Sequence, residues 1–530
     1  MIYLVEFEAF DPHPEVNAVV VERLATDGYT TGTNDNPPHR HYEGRVINPG
    51  NFEQSIFDDG TTSGEARVGY GFIEVAIGDD GAGENLDRLA RYAVDGRRVT
   101  IWALEDVDAR FTSRALVLTG IMEQIEVSWT VATIRIRDRL DDLRVPIQTE
   151  TYKGTTTDGT KTDAEGTPED LKDKPKPLAW GVNRNVPGIV SNRFKLVFDF
   201  ASNGCEFDEV RDDGVPLTKG ASYSTFAALM AATIPERAYG RCPSTGQIRI
   251  GDNPKGAITA DITEGAPGAR SVGKVARRML DASGFDAGAD YNADELDALH
   301  ALNGAEVGIW IGADTRNVLP AVTAVLASMG AWICPDATGV FRFGQVDVAA
   351  GARGPVLDLS VILDRGQGIE RIVTNDAQAG VPAWKVTVTY APAWLVQSEA
   401  DLNKTAATTA LKAFVTKESR SVSVENEPLK TVHLRASELT FPSLFASEAA
   451  AKAEAGRQLA LRGQRRQRYR VPLKDEVAIG IRLGSIVTLQ LPRFDLDAGR
   501  PMLVIGKEVV LPRRSGDKVE AGVITLDIYG

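Results

Sequence analysis

Residues 483–492 read LGSIVTLQLP, a short β-strand in which Ile486, Val487, Leu489 and Leu491 follow a turn glycine at Gly484. The stretch DGRRVTIWAL at 95–104 has the same form, Gly-x-x-Val-Thr followed by Ile or Leu. Two further blocks extend the match. RALVLTG (114–120) is echoed by RPMLVIG (500–506), and TIRI (133–136) by TLDI (525–528), in the same order and at similar spacing. Each set follows a stretch with helical periodicity. In ENLDRLARYAV (84–94), Leu86, Leu89, Ala90 and Ala93 form one apolar face, and SEAAAKAEAGRQLALRG (447–463) has high helix propensity with Ser447 as N-cap. No single block is specific, since strands resemble strands. Three ordered blocks, each behind a helix, predict a duplicated β-barrel-like unit at the two ends of the chain. The expectation is one strand order for 95–136 and 484–528, with the two helices packed equivalently.

Composition bounds the rest. A chain of 530 residues exceeds one core, and length alone suggests about three or four domains. With 43% hydrophobic and 25% charged residues it has an ordinary globular composition. No apolar run approaches the roughly 20 residues of a membrane-spanning helix. The opening MIYLVEFEAF reads as a strand rather than an export signal. Cys205, Cys242 and Cys334 are odd in number and far apart, which points away from disulfides and zinc and toward synthesis in a reducing cytoplasm. The net charge of −14, from 59 basic and 73 acidic residues, opposes a protein that clamps nucleic acid by its phosphates. DNA as a passenger through a channel remains compatible with it.

Four segments follow from the patterning: 1–150, an N-terminal β-barrel-like domain; 151–260, a linker and β-rich second domain; 261–350, an α+β domain; and 351–530, a C-terminal β-barrel-like domain carrying the helix at 447–463. The predicted class is mainly β with an α+β middle. In the first segment Val127, Trp129 and Val131 share one side of a strand, and Ile134 and Ile136 continue in the next. GTTTDGTKTDAEGTPED (154–170) reads as a solvated loop or linker. Prolines 175, 177 and 187 make KPKPLAWGVNRNVPGIV (174–190) an edge strand, and RDDGVPL (211–217) reads as a turn. SVGKVARRMLDASG forms a helix with Val272, Val275, Ala276, Met279 and Leu280 on its apolar face and Gly284 as its cap. Asn292 and Glu295 make a capping box, a third helix runs over about 315–328 to Gly330, and AWICP with VFRFGQV forms a hairpin around DATG. The alternation of Trp384, Val386, Val388 and Tyr390 restores the β pattern.

Candidate chemistry is sparse. GARSVGK (268–274) has the Gly-x4-Gly-Lys spacing of a phosphate loop, yet Val275 stands where Ser or Thr must ligate Mg²⁺, so the start of a helix capped by Ser271 explains it. His39 and His41 have the spacing of two metal ligands on one strand face, but a surface loop accounts for them; His13, His300 and His433 have no ligand-like neighbours. DDG at 58–60 and 79–81 reads as turns rather than calcium loops. The basic cluster GQRRQRYRV (463–471) suits a helix C-terminus facing water or a partner's acids better than a nucleic-acid patch. No residue is singled out as catalytic, cofactor-binding or metal-ligating, and no cofactor is implied.

Several stretches taken in order resemble the central hub proteins of long-tailed bacteriophage tail tips and baseplates. GENLDRLARYAVDGRRVTIW with TIRIRDRLDDLRVPI is similar to that family's opening domain, and residues 152–190 to its transition into the second. WKVTVTYAPAWLVQSEADL (384–402), the helix at 447–463 and LGSIVTLQLPRF…GRPMLVIGKEVV resemble its closing domain. After PLAWG the sequence departs from the family pattern, reading FKLVFDFASNG. The resemblance implies a non-enzymatic virion protein of the tail tip, made in the host cytoplasm and not inserted in a membrane. It would be a homotrimer whose two barrel-like units per chain present a pseudo-sixfold ring to the tail tube. Its expected partners are the distal tail ring protein, the tape measure protein and tail-tip fibre or spike proteins, with DNA only passing through. No receptor-binding extension follows Tyr529-Gly530, so host recognition is expected of another chain. Two other readings stand beside it: a β-rich glycan-binding or glycan-degrading protein, and the distal ring itself. The first would need aromatic platforms, whereas the seven tryptophans (Trp102, Trp129, Trp180, Trp310, Trp332, Trp384 and Trp394) are scattered in sequence.

Overall fold

The opening strand Ile2–Asp11 is apolar at most positions because it is paired on both sides, with Ala18–Ala25 and with Arg98–Leu104. It belongs to a seven-stranded sheet that continues through Ala115–Val127, Val131–Arg137, Phe72–Ala76 and Val46–Asn48. In this computed structural model the described residues are 1–58, 61–78, 85–348, 352–374, 380–474, 478, 480–515 and 518–530. The chain is mainly β, with its α-helices falling between residues 226 and 462 among the described residues.

A second sheet is built at the other end of the chain. It runs Val356–Leu357, Ile486–Leu489, Arg500–Val510, Val523–Tyr529, Arg468–Leu473, Glu370–Ile372. The strands bearing the three matched blocks are therefore consecutive and antiparallel in both sheets, as the duplication requires. The outer two blocks are equivalent in register, but the middle one is not. Thr100 pairs with Thr119, whereas its counterpart Thr488 pairs with Pro501 and not with Ile505. The strand bulges supply the correct alignment. One falls between Met122 and Gln124, opposite Ile136 and Arg135; the other falls between Val504 and Gly506, opposite Ile528 and Asp527. Met122 thus corresponds to Val504, four residues away from the position that RALVLTG and RPMLVIG suggest. A bulge bends its strand and is rarely placed by chance, so its recurrence ties the two units together better than the sequence does.

The two sheets are not independent. Strand Asn51–Ser55 leaves the first and pairs with the Gly506–Val510 half of Arg500–Val510, and Arg67–Tyr70 pairs behind it. One cluster of buried residues runs through both, from Tyr3, Val5 and Phe7 through Phe52 to Val471, Leu489 and Ile528.

The expected helix at 84–94 is absent from the described part of that stretch: Asp87–Arg91 form a short 3₁₀ turn. Leu86 and Leu89 are buried three apart, which suits that turn, and Ala93 is drawn into extended pairing with Phe10. The helix Glu448–Arg462 packs mainly on a separate three-stranded sheet of Arg420–Glu425, Ala383–Tyr390 and Ser437–Phe441, so the two do not pack equivalently. Val127, Trp129 and Val131 do not share a strand either. Val127 ends one strand, Val131 begins the next, and Trp129 stands at the hairpin tip, 95% exposed.

Between the ends, Leu178–Pro187 is an interior strand rather than an edge, flanked by Ile258–Glu264 and Gly308–Ile311. Pro175 and Pro177 precede it and Pro187 closes it, so none withholds an N–H inside the ladder. Asp213 and Gly214, both at positive φ, make the expected turn. Helices Val272–Ala282, Ala293–Leu302 and Val318–Ala327 pack with the hairpin Ala331–Pro335 and Phe341–Gln345 around one core. Asn292 caps the second helix through the Glu295 N–H, but the Glu295 carboxylate does not complete the box. It accepts instead from Arg342 and from the Phe343 N–H at 2.9 Å. Residues 154–170 form an irregular loop with no strand or helix, but it is not wholly solvated: Thr156 and Ala164 are buried, and the Asp163 carboxylate accepts from the Thr155 and Thr156 hydroxyls.

Candidate assembly surfaces

The basic segment at 463–471 divides into three environments. Arg462, just before it, is buried in a polar ladder along the helix: Nη1 donates to Thr62 Oγ1 at 2.6 Å, Nε to Gln458 Oε1, and Gln458 in turn to Glu454. Arg457 pairs with Glu454 and donates to the Met329 and Val346 carbonyls, so one helix face holds the N-terminal loop and the middle hairpin together. Arg468 and Arg470 lie on the outer face of the second sheet, Arg468 Nε 2.7 Å from Asp527 and Arg470 Nη2 2.6 Å from Glu508. Burial raises the Asp527 carboxyl above its ordinary range, against the pull of Arg468. Arg466 donates to the Leu461 carbonyl at the helix C-terminus, as the macrodipole favours. Its remaining nitrogens and Arg465 border two adjoining clefts.

The remaining candidates resolve into structure. Ser271 sits at the N-cap position, but its hydroxyl meets His300 Nδ1 at 2.7 Å instead of capping the helix. A Cβ on Gly273 would lie 2.1 Å from the Leu296 carbonyl oxygen, so this glycine serves the close approach of two helices. Lys274 pairs with Asp297 at 2.7 Å. Those three positions are thus occupied by packing and ion pairing. His39 is an exposed loop residue at positive φ, and His41 Nδ1 meets Thr30 Oγ1 at 2.9 Å. Among the described residues no group of three or more His, Cys, Asp or Glu is placed to hold a metal. Residues 59, 60 and 79–81 of the two DDG turns lie outside the described residues. Cys205, Cys242 and Cys334 are buried thiols, and burial raises Cys205 and Cys334 above the ordinary range. Among the described residues no helix is long and apolar enough to cross a membrane.

The tryptophans make no platform. Trp180, Trp332 and Trp384 are buried, and Trp310 and Trp394 pack on one another at 6.3 Å between centroids. Trp129 stands alone at its hairpin tip.

Two buried carboxylates escaped the sequence reading. Asp199 accepts from Ser191 Oγ, Gln247 Nε2 at 2.9 Å and Tyr152 Oη at 3.0 Å, and burial pushes it up to about 6. Asp261 takes Arg211 and the Asn185 N–H, and Arg211 with these hydrogen bonds holds it below its ordinary range despite burial. Both networks join strands far apart in sequence, and no local pattern marks them.

No family model and no curated protein matches the sequence. Among solved structures, the chain is similar to the 43 kDa tail protein of prophage MuSo2 from Shewanella oneidensis, at 9% identity over 99% of this chain and 98% of that one, TM-score 0.39. It is similar to the prophage tail protein gp18 from Listeria monocytogenes, at 8% identity over 99% and 94%, TM-score 0.39. A tail protein from Neisseria meningitidis gives 11% identity over 93% of each chain, TM-score 0.36.

Proposed function

We propose that the chain is a structural virion protein, the central hub of a phage tail tip or baseplate, which assembles as a homotrimeric ring continuing the tail tube. The observation that carries this reading is the recurrence of one bulged three-strand unit at both ends of the chain. Three copies then supply six similar units, which match a sixfold tube through a threefold protein. The division at 1–150, 151–260, 261–350 and 351–530 belongs to the same proposal, with the first and last segments forming the tube wall. So do the partners: the distal tail ring protein, the tape measure protein and fibre or spike proteins, with DNA passing through the lumen. The role is non-catalytic and located in the virion.

Light scattering and electron microscopy of the purified chain test this directly. The expected result is a trimer with six similar lobes around an axial opening. A monomer at all concentrations, or a six-copy ring, would refute it. Reproducible hydrolysis of peptidoglycan or polysaccharide, lost on a single carboxylate substitution, would instead favour an enzyme.

A further inference from the structure

Two adjoining clefts at the end of the second sheet, of about 500 and 380 Å³, share Arg465 and Arg466. Arg500 borders the first and Arg371 the second. Among the described residues none of these four guanidinium groups has a carboxylate partner, whereas Arg468 and Arg470 in the same segment do. Unpaired arginines gathered in one place are unexpected in a chain of net charge −14. The second cleft also presents Val373, 64% exposed.

The complementary surface lies on the first unit. The loop after strand Arg98–Leu104 carries Glu105, Asp106 and Asp108, all exposed, around Val107, which is 48% exposed. Its shape is fixed by the Asp108 N–H donating to Asp106 Oδ1 at 2.9 Å and by Tyr29 Oη donating to the Ala109 carbonyl at 3.0 Å. Among the described residues these three carboxylates have no cationic partner. This loop joins Arg98–Leu104 to Ala115–Val127, and Arg500 opens the counterpart of the latter strand. Gln467 and Gly530 exchange backbone hydrogen bonds, which puts Arg465 and Arg466 at that same end of the second unit. Acidic loop and arginine clefts therefore occupy matching ends of two equivalent units.

We propose that loop 105–108 of one copy seats in the arginine clefts of a second copy, with its carboxylates on Arg465 and Arg466 and Val107 against Val373, as a contact that closes the ring. The proposal rests on the ring reading above. A head-to-tail contact between different surfaces is the kind that generates rings, and buried charge complementarity fixes its register. Nucleic acid fits these clefts less well. Among their lining residues there is no Phe, Tyr or Trp for base stacking, half-buried His433 being the one ring, and exposed Asp347 borders the first cleft.

The test is a charge swap in the full-length chain, read by light scattering over a concentration series. Arg465→Glu with Arg466→Glu, and separately Glu105→Lys with Asp106→Lys and Asp108→Lys, should each weaken assembly at least about tenfold. All five substitutions together should recover most of the loss. Near-ultraviolet circular dichroism checks the fold, and Arg465→Gln with Arg466→Gln supplies a milder version if the reversal misfolds. A wild-type ring that both reversals leave intact overturns this contact while the ring reading survives, as does a combined variant no better than its parents. A wild-type chain that stays monomeric overturns both. Tight binding of a short single-stranded oligonucleotide, lost with Arg465 and Arg466, would assign the clefts to nucleic acid and overturn the proposal.

Discussion

Gly96 and Gly484 occupy the same place in the two matched units, and both sit at positive φ, 74° and 76°. Their surroundings differ. Nothing lies within 4 Å of a Cβ built on Gly96, whereas one on Gly484 would stand 2.5 Å from Cζ2 of buried Trp332. Gly96→Ala is expected to cost about 1 kcal/mol, the conformational part alone. Gly484→Ala adds overpacking and should cost roughly 2–4 kcal/mol, measured as a shift in the urea midpoint. Equal losses would mean that Trp332 yields freely. Asp199 makes a pH prediction. Its folded value of about 6 lies above the ordinary 3.8, so the folded state holds the proton more tightly. The resulting stabilisation is full below about pH 4 and is lost as pH rises through about 6, a difference of roughly 3 kcal/mol. Asp199→Asn should flatten this part of the stability profile between about pH 4 and 6.5; an unchanged slope would put the titration elsewhere.

At the scale of elements, the strand order of the two units was legible because Val-Thr and the Thr-x-x-Ile blocks mark paired positions. The middle block misled for a physical reason. Side chains alternate with a period of two, so a slide of four residues keeps every apolar position on its own face. Only the bulge, a backbone feature with no distinct sequence sign, fixes the register. The failure at 84–94 is different in kind: Leu86 and Leu89 satisfy a 3₁₀ turn as well as an α-helix, and Phe10, far away in sequence, decides the matter by pairing with Ala93. Arg466 meets the Leu461 carbonyl at the helix terminus, as its place in the sequence predicts, but the division of the arginine segment into paired and unpaired members depends on Asp527 and Glu508, strands away. Within the long helix, Arg462 is the residue whose loss should be felt most. Arg462→Met removes its bonds to Thr62 and Gln458 in a buried site, a loss of roughly 2–4 kcal/mol. Arg465→Met, on an exposed guanidinium at the cleft rim, should leave monomer stability within about 0.5 kcal/mol. Parallel urea titrations of the two variants separate a clamp from a rim.

For the whole molecule, the decisive fact is the crossing of strand Asn51–Ser55. It leaves the N-terminal sheet to pair with Gly506–Val510, and Phe52 enters the cluster that also holds Val504, Val509 and Leu526. The sequence gives no warning of this, because pairing across 450 residues leaves no local trace; the Ser55 hydroxyl, for instance, donates to the Ile505 carbonyl at that separation. Had each end folded on its own, residues 1–150 would keep their structure when cut away. The shared strand forbids that. In such a fragment Asn51–Ser55 would keep only Arg67–Tyr70 beside it, and the apolar side chains around Phe52 would face water. The expected behaviour of 1–150 expressed alone is therefore aggregation or a loosely packed state without near-ultraviolet circular dichroism. Residues 1–350 and 351–530 produced together should find each other and restore the native signal, since the apolar surface each lacks is on the other. A folded, monomeric 1–150 fragment with cooperative unfolding would show that the crossing strand is dispensable. The two units would then be separable domains that touch, rather than one wall built from both ends of the chain.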